Sequence, residues 1–135
     1  NNEVLLKIGD SIGRYAHMIR ESDRLNVADV LSYLYTSSFK RPEMYLAGGL
    51  VKNWIFNGQR DYNDIDLVYV GEQGDISRIT QNLTKKISEK ERFLEKFKVI
   101  PNSQRRYVAQ VLDRRFLLLP ETLGTSQHPI DLCVA

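Results

Sequence analysis

Two carboxylates lie one residue apart at the head of an apolar run, and they are the residues of this chain best suited to chemistry. Asp64 and Asp66 open the segment that continues as Leu67–Val70, which is predicted to be a strand. Alternate residues of a strand point to the same face, so the two side chains are expected to lie together. Such carboxylates repel each other unless a cation lies between them, and Mg²⁺ is commonly held by one or two carboxylates plus substrate phosphates. The spacing therefore predicts a magnesium site for a phosphorylated substrate.

A double glycine precedes this pair and is predicted to form a turn between a strand and a helix. Gly48 and Gly49 follow a short apolar run, and residues 50–56 have a helical pattern that Gly58 is expected to end. Glycine tolerates positive φ and lets a ligand approach the backbone. Unpaired N–H groups at the start of a helix favour phosphate, and Lys52, expected in the first turn, adds a positive charge. Together with Asp-x-Asp, this turn predicts binding of a metal-bound nucleoside triphosphate.

The segment resembles the nucleotidyltransferase superfamily, which includes DNA polymerase beta, poly(A) polymerases, tRNA CCA-adding enzymes and antibiotic nucleotidyltransferases. Residues 48–53, GGLVKN, are similar to the GGxVRD motif of CCA-adding enzymes and bacterial poly(A) polymerases, and residues 64–67 are similar to the family's DIDL. The chain departs from the first motif at Lys52 and Asn53, where the motif has Arg and Asp. Aminoglycoside and lincosamide nucleotidyltransferases have comparable spacing, which leaves the subfamily open.

The resemblance implies a nucleotidyltransferase fold of α/β (α+β) class, a mixed sheet with helices packed on one face. It implies metal-dependent transfer of a nucleoside monophosphate from an NTP, with ATP expected, to a hydroxyl acceptor. Two Mg²⁺ ions, with Mn²⁺ as an alternative, are the implied cofactors. Gly48, Gly49, Lys52 and Asn53 would bind the nucleotide. The acceptor is an RNA 3′ end such as tRNA, a small hydroxylated molecule or a protein, and the alternative is an inactive copy that binds nucleotide or RNA.

A third carboxylate is predicted near the end of the chain. Asp131 lies in the otherwise apolar run 130–134, and a buried carboxylate needs a partner or a metal. The family places its third carboxylate on a strand beside the Asp-x-Asp strand, where it shares the metal and acts as general base. Asp131 is assigned that role, so Asp64, Asp66 and Asp131 are the expected catalytic and metal residues. Asp113, at a predicted turn, is the competing candidate.

The elements that position these residues are predicted to form a single domain over residues 1–135, with residues 1–42 as a helical extension and 43–135 as the catalytic core. Helices are expected at 3–20, at 27–37 with Asn26 as N-cap, and at 76–90 with Asp75 as cap.

The second half of the chain is predicted to be richer in strands. A strand is expected around residues 93–99, a hairpin from 107–112 and 116–119, and a last strand at 130–134. Arginine pairs near the two ends of this hairpin form the best basic cluster of the chain, and solvated strand ends are the favoured interpretation: Arg105, Arg106, Arg114 and Arg115.

Composition limits the class of protein only broadly. The chain has 135 residues, 42% hydrophobic and 27% charged, which is ordinary for a soluble globular domain. No apolar run reaches membrane-spanning length, so no membrane partner and a cytoplasmic location are expected. The single cysteine, Cys133, excludes an internal disulfide. The helical RNA-binding domains of the resembled enzymes have no counterpart after Asp131, so the N-terminal extension, a partner chain or a missing part of a longer protein is expected to supply that surface.

Overall fold

A mixed sheet forms the centre of the molecule. The computed structural model describes residues 4–86, 96–101, 114–121 and 126–135. These residues form a six-stranded sheet in the order β1-β2-β3-β6-β5-β4. Its strands are β1 Leu6–Ile8, β2 Glu43–Ala47, β3 Ile65–Val70, β4 Phe97–Pro101, β5 Arg114–Pro120 and β6 Ile130–Val134. Only β3 and β6 run parallel among these pairs, and every other neighbouring pair is antiparallel.

The two faces of the sheet differ in burial. Leu46, Leu67, Leu132 and Phe116 are aligned across four neighbouring strands and are all buried. The residues between them on each strand are mostly only partly buried, as the period of two requires. One face therefore carries the core, and the other is open. This arrangement agrees with the predicted mixed α+β class.

Three helices accompany the sheet in the described part of the chain: α1 Glu21–Thr36, α2 Gly48–Asn57 and α3 Gln73–Lys86. Their apolar residues recur at helical spacing and join the strands in one hydrophobic cluster. Val27, Val30, Leu31 and Leu34 are the fully buried apolar residues of α1. Among the described residues, no helix is long and apolar enough to cross a membrane.

The predicted helix over residues 3–20 is wrong. Residues 6–8 form β1, which pairs with β2 so that Leu6 faces Leu46 and Ile8 faces Met44, and only residues 16–18 form a short 3₁₀ turn. Gly9 and Gly13 interrupt the helical run, and pairing with β2 satisfies the backbone instead. The sheet thus includes residues from both sides of the predicted division at residue 42.

Helices α1 and α3 also begin earlier than predicted. Helix α1 begins at Glu21, six residues earlier than predicted, and Asn26 is buried inside it rather than acting as N-cap. Helix α3 begins at Gln73, so Asp75 lies in its first turn, where an acidic residue is favoured. The Asp75 carboxylate accepts the backbone N–H groups of Phe39 and Lys40 at 3.1 and 3.0 Å and so fastens the loop after α1 to α3.

Several C-terminal predictions fall partly outside the described residues. Residues 87–90, residue 93, strand 107–112 and the candidate Asp113 lie there. Residues 116–119 are within β5, as predicted, but Arg114 is the first residue of that strand rather than part of a turn. The last strand, 130–134, is confirmed.

Candidate active site

Asp66 and Asp131 lie side by side on the open face of the sheet. They are aligned partners on the parallel strands β3 and β6, and Ala47 is the partner of Asp66 on its other side. Aligned residues share a face, so the two carboxylates point the same way. Together with Arg115 and Cys133 they line a cleft of about 80 Å³. The cleft is therefore formed by strands that lie far apart in the sequence.

Asp64 extends this cluster at the beginning of β3. It is exposed and lies in a bend directly before β3, outside the strand in which the sequence placed it. Partial burial raises the pKa of Asp64, the negative charge of Asp131 raises it further, and the nearby His128 opposes the shift. Asp66 and Asp131 are therefore aligned partners, and Asp64 lies close enough to Asp131 to feel its charge.

Gly48 allows helix α2 to begin directly against Asp66. Its φ of +73° is in the left-handed region, and a Cβ built on it would overlap the Asp66 carboxylate. By contrast, a Cβ built on Gly49 meets no atom within 4 Å, so the space beside Gly49 is open. Ala47 supplies no side-chain cap, which leaves the first N–H groups of α2 for another acceptor.

The remaining predicted nucleotide residues lie farther along α2. The helix begins at Gly48, so Lys52 is exposed and lies just past the first turn rather than in it. Asn53 donates a side-chain hydrogen bond to the carbonyl of Asp61, and this bond ties α2 to the loop that leads into β3. Gly58 ends the helix in the left-handed conformation, as predicted. Binding of nucleotide by Lys52 and Asn53 stays a prediction.

Arg115 is a residue of the site that the sequence interpretation missed. Its Nη2 donates to Asp131 Oδ2 at 2.9 Å, and the two side chains are only 13% and 11% exposed. The predicted solvated strand end is therefore wrong for Arg115, which belongs to the carboxylate cleft. Alternation along β5 is the only local signal that could have predicted which face Arg115 is on. Its contact with Asp131 depends on the strand order, which puts β5 beside β6.

A second polar cluster lies next to the first and was also missed. Asp23, fully buried in α1, accepts hydrogen bonds from the Tyr62 hydroxyl at 2.6 Å and from His128 Nδ1 at 2.9 Å. The backbone N–H of His128 donates to its other oxygen at 2.8 Å. The Arg20 backbone N–H donates to the Tyr62 oxygen at 3.0 Å. Tyr62 and His128 are far from Asp23 in the sequence, so no local pattern predicts that they contact it.

The carboxylate cleft fits a metal ion only in part. Among the residues that the structure describes, no group of three or more His, Cys, Asp or Glu side chains is arranged to hold a metal. The ion pair with Arg115 already engages Asp131. Asp64 and Asp66 also supply carboxylate oxygens, and two carboxylates are enough for Mg²⁺ when substrate phosphates and waters complete its shell. The donor set therefore suits a magnesium ion that arrives with a triphosphate.

Comparison of the chain with protein-family models, with curated proteins and with solved structures found no match.

Proposed function

We propose that this protein is a metal-dependent nucleotidyltransferase, which moves a nucleoside monophosphate from an NTP to a hydroxyl acceptor and releases pyrophosphate. The observation that carries the proposal is the alignment of Asp66 with Asp131 beside the Gly48 turn, with Asp64 at the same end of the strands. Crowded carboxylates next to an uncapped helix start suit a ligand that brings both a cation and phosphate oxygens.

Asp64 and Asp66 would hold Mg²⁺, or Mn²⁺ in its place, and Asp131 would share a second ion. When bound, the metal supplies Lewis-acid stabilisation of the charge that develops on the phosphates. The N–H groups at the start of α2 would donate to the β- and γ-phosphates, which the open space beside Gly49 admits. Lys52 would add one point charge from the exposed side of the helix.

Arg115 modifies the role proposed for Asp131. Because Asp131 Oδ2 accepts a bond from Arg115, the general-base role implied by the family resemblance requires Arg115 to leave that oxygen first. A triphosphate in the cleft offers Arg115 a competing acceptor with more charge. Arg115 would then bind substrate and release Asp131 in one exchange of partners.

The same ion pair favours a second candidate function. A positive side chain on the third carboxylate is a way to stabilise such a cleft without metal, as expected for an inactive copy that binds nucleotide or RNA. This alternative predicts binding without turnover.

Incubation of the protein with each α-labelled NTP and Mg²⁺ tests the proposal, with tRNA, an aminoglycoside, glycerol and the protein itself as acceptors. Label should move to one acceptor, with pyrophosphate released in equal amount. Asp66→Asn should abolish the transfer, while Asp61→Asn, a change of an exposed aspartate in the preceding loop, should retain it.

Equilibrium binding of a non-hydrolysable NTP, with and without Mg²⁺, separates the two candidates. Metal-dependent binding without transfer to any acceptor would favour the inactive copy. Absence of both binding and transfer would contradict both functions.

A further inference from the structure

His128 lies alongside the residues that lead into Asp64. The backbone N–H of Ile65 donates to the carbonyl of Pro129 at 2.9 Å, and Ile65 then pairs with Ile130 at the start of the parallel ladder. His128 is thus carried to the end of the sheet where the carboxylates gather. A charge on His128 reaches Asp64, since it opposes the increase in that group's pKa caused by burial and by Asp131.

Asp23 fixes the orientation of the imidazole. The Asp23 side chain is 0% exposed and bonds both the Nδ1 and the backbone N–H of His128, while the Tyr62 ring packs edge-on against the imidazole at 5.0 Å between centroids. An ionised carboxylate only accepts hydrogen bonds, so Nδ1 carries the proton. In the neutral ring the lone pair then belongs to Nε2.

Nε2 is the ring atom of His128 that can accept a proton. The His128 side chain is 21% exposed, and within the four described segments Nε2 has no hydrogen-bond partner. Asp131, in contrast, is held by Arg115. Compared with Asp131, the histidine is the group whose accepting atom is open and whose tautomer is already set.

We propose that His128 is the general base of the reaction, with Asp23 as the residue that positions it. This inference rests on the proposed nucleotidyl transfer. The acceptor hydroxyl gives its proton to Nε2 while its oxygen forms a bond to the α-phosphorus. The bond from that phosphorus to the bridging oxygen breaks, and pyrophosphate leaves with the electron pair. The imidazolium returns the proton to solvent, and Nδ1–H stays on Asp23 throughout.

The charges around the ring suit this role. Asp23 faces the imidazole from α1 and stabilises the imidazolium that forms, while Asp64 lies near the ring just before β3. Tyr62 faces it from the loop before β3 as a neutral donor to Asp23. Arg20 acts at one remove, since its backbone N–H bonds Tyr62 and its guanidinium lies 5.7 Å from the Tyr62 ring centroid.

His128→Asn is the decisive variant because an asparagine amide can still donate to Asp23 from near the Nδ1 position while Nε2 is lost. With the labelled NTP, Mg²⁺ and the acceptor that takes most label, kcat should fall about 10²- to 10⁴-fold, the range of a general base. The dissociation constant for the non-hydrolysable NTP should change less than about twofold, because His128 contacts no phosphate in this scheme. The fall in parental kcat/KM at acid pH should disappear in the variant.

A nitrogen-detected NMR spectrum of the full chain gives a test that does not depend on activity. The neutral ring of His128 should carry its proton on Nδ1 in the parent, and Asp23→Asn should remove that preference. A proton on Nε2 in the parent would overturn the inference even if His128→Asn failed to fold.

The remaining outcomes separate this inference from the proposed function. If the parent transfers label and His128→Asn keeps both its kcat and the fall at acid pH, only the role of His128 is wrong. If the parent transfers label to none of the acceptors, the proposed function is overturned, and the role of His128 falls with it.

Discussion

The two carboxylate clusters of this molecule are neighbours, yet their surroundings are opposite. Asp23 is fully buried, and both of its oxygens accept hydrogen bonds from fixed donors. Asp66 and Asp131 line a cleft, and burial and the charge of Asp131 raise the pKa of Asp64, which precedes β3. A buried carboxylate with well-placed donors stabilises the fold that surrounds it, whereas crowded carboxylates at an open face favour a cation.

The pKa values of Tyr62 and Asp64 also distinguish the buried cluster from the open one. Burial and the hydrogen bond to Asp23 raise the pKa of Tyr62 far above its ordinary value, so this hydroxyl stays protonated and donates at every physiological pH. The Tyr62 hydroxyl of the buried cluster is therefore constant in charge. The open cluster, by contrast, includes Asp64, an acid whose pKa is raised by its surroundings, so its energy is expected to change with pH.

The largest expected effect is the loss of transfer when the open cluster loses a carboxylate. Asp64→Asn or Asp66→Asn should reduce nucleotidyl transfer below detection, because each removes an anionic ligand for the magnesium that accompanies the triphosphate. The fold should persist, with an unfolding midpoint at or above that of the parent. Transfer assays and thermal melts on the same preparations test the loss of activity and the retention of the fold. Activity retained in either variant would contradict the metal assignment.

Asp23→Ala should have the opposite signature, a loss of stability. Removing one member of a buried, charged hydrogen-bonded set typically costs about 3–5 kcal/mol of the free energy of unfolding. Asp29→Ala is the matched control, because Asp29 is on the same helix and pairs with Lys96 at a site where the Asp29 side chain is 39% exposed. That surface pair should contribute only about 0–1 kcal/mol. Urea denaturation of both variants measures the difference, and equal losses would remove the distinction between the two clusters.

Asp131→Asn should lower kcat, because Asp131 would share the second ion, with little change in NTP affinity, because the other two aspartates still hold the nucleotide metal. Its pH profile separates it from His128→Asn. If His128 is the base, the fall in kcat/KM at acid pH persists in Asp131→Asn. If instead Asp131→Asn abolishes that dependence, Asp131 takes the proton and Arg115 must have left it.

The parts of this arrangement that sequence could predict are those specified within a short segment. Glycine turn, helix α2, its end at Gly58 and strand β6 each carry their pattern in fewer than a dozen residues, and all were predicted with small errors of boundary. The family resemblance added that Asp131 would lie on the strand beside Asp66, and the register agrees.

The errors share a physical origin in long-range pairing. Strand β1 has three residues and forms by pairing with the edge of β2. Its sequence has helical spacing, and the helix predicted there was therefore wrong. Asp23 and His128 are 105 positions apart, and Arg115 reaches Asp131 only through the order of strands β5 and β6. No periodicity in the sequence encodes such contacts.

Gly48 and Gly49 offer a smaller effect that tests how α2 meets the open cluster. Gly48→Ala should cost about 1–2 kcal/mol of stability for its positive φ, and more if the Asp66 carboxylate cannot move aside. Gly49→Ala meets open space and should fold like the parent, so it serves as the control. Gly49→Val should raise the KM for NTP by filling the approach to the helix start. Equal stability of Gly48→Ala and the parent would mean that Asp66 does not lie against the turn.

The smallest expected effect is a change of stability with pH at Asp64. Its pKa in the folded chain is above the ordinary 3.8, first because of burial and then because of Asp131. Such a group contributes stability that is present below its unfolded pKa and is lost as pH rises through the folded value. The parent should therefore unfold as easily as Asp64→Asn in acid, and more easily at neutral pH.

The difference between these two proteins at neutral pH should be less than about 1 kcal/mol, because Asp64 is largely solvated. Urea denaturation at a series of pH values measures this difference. Repeating it at high salt separates the contribution of Asp131 from the contribution of burial. At about 1 M salt the Debye length falls to about 3 Å, so the contribution of Asp131 should shrink while the contribution of burial persists. Mg²⁺ should reduce the difference by stabilising the ionised parent alone. The opposite outcome is a parent that, without metal, becomes more stable than Asp64→Asn as pH rises. It would mean that a hydrogen-bond donor, rather than crowding, determines the pKa of Asp64, whose surroundings would then resemble those of Asp23.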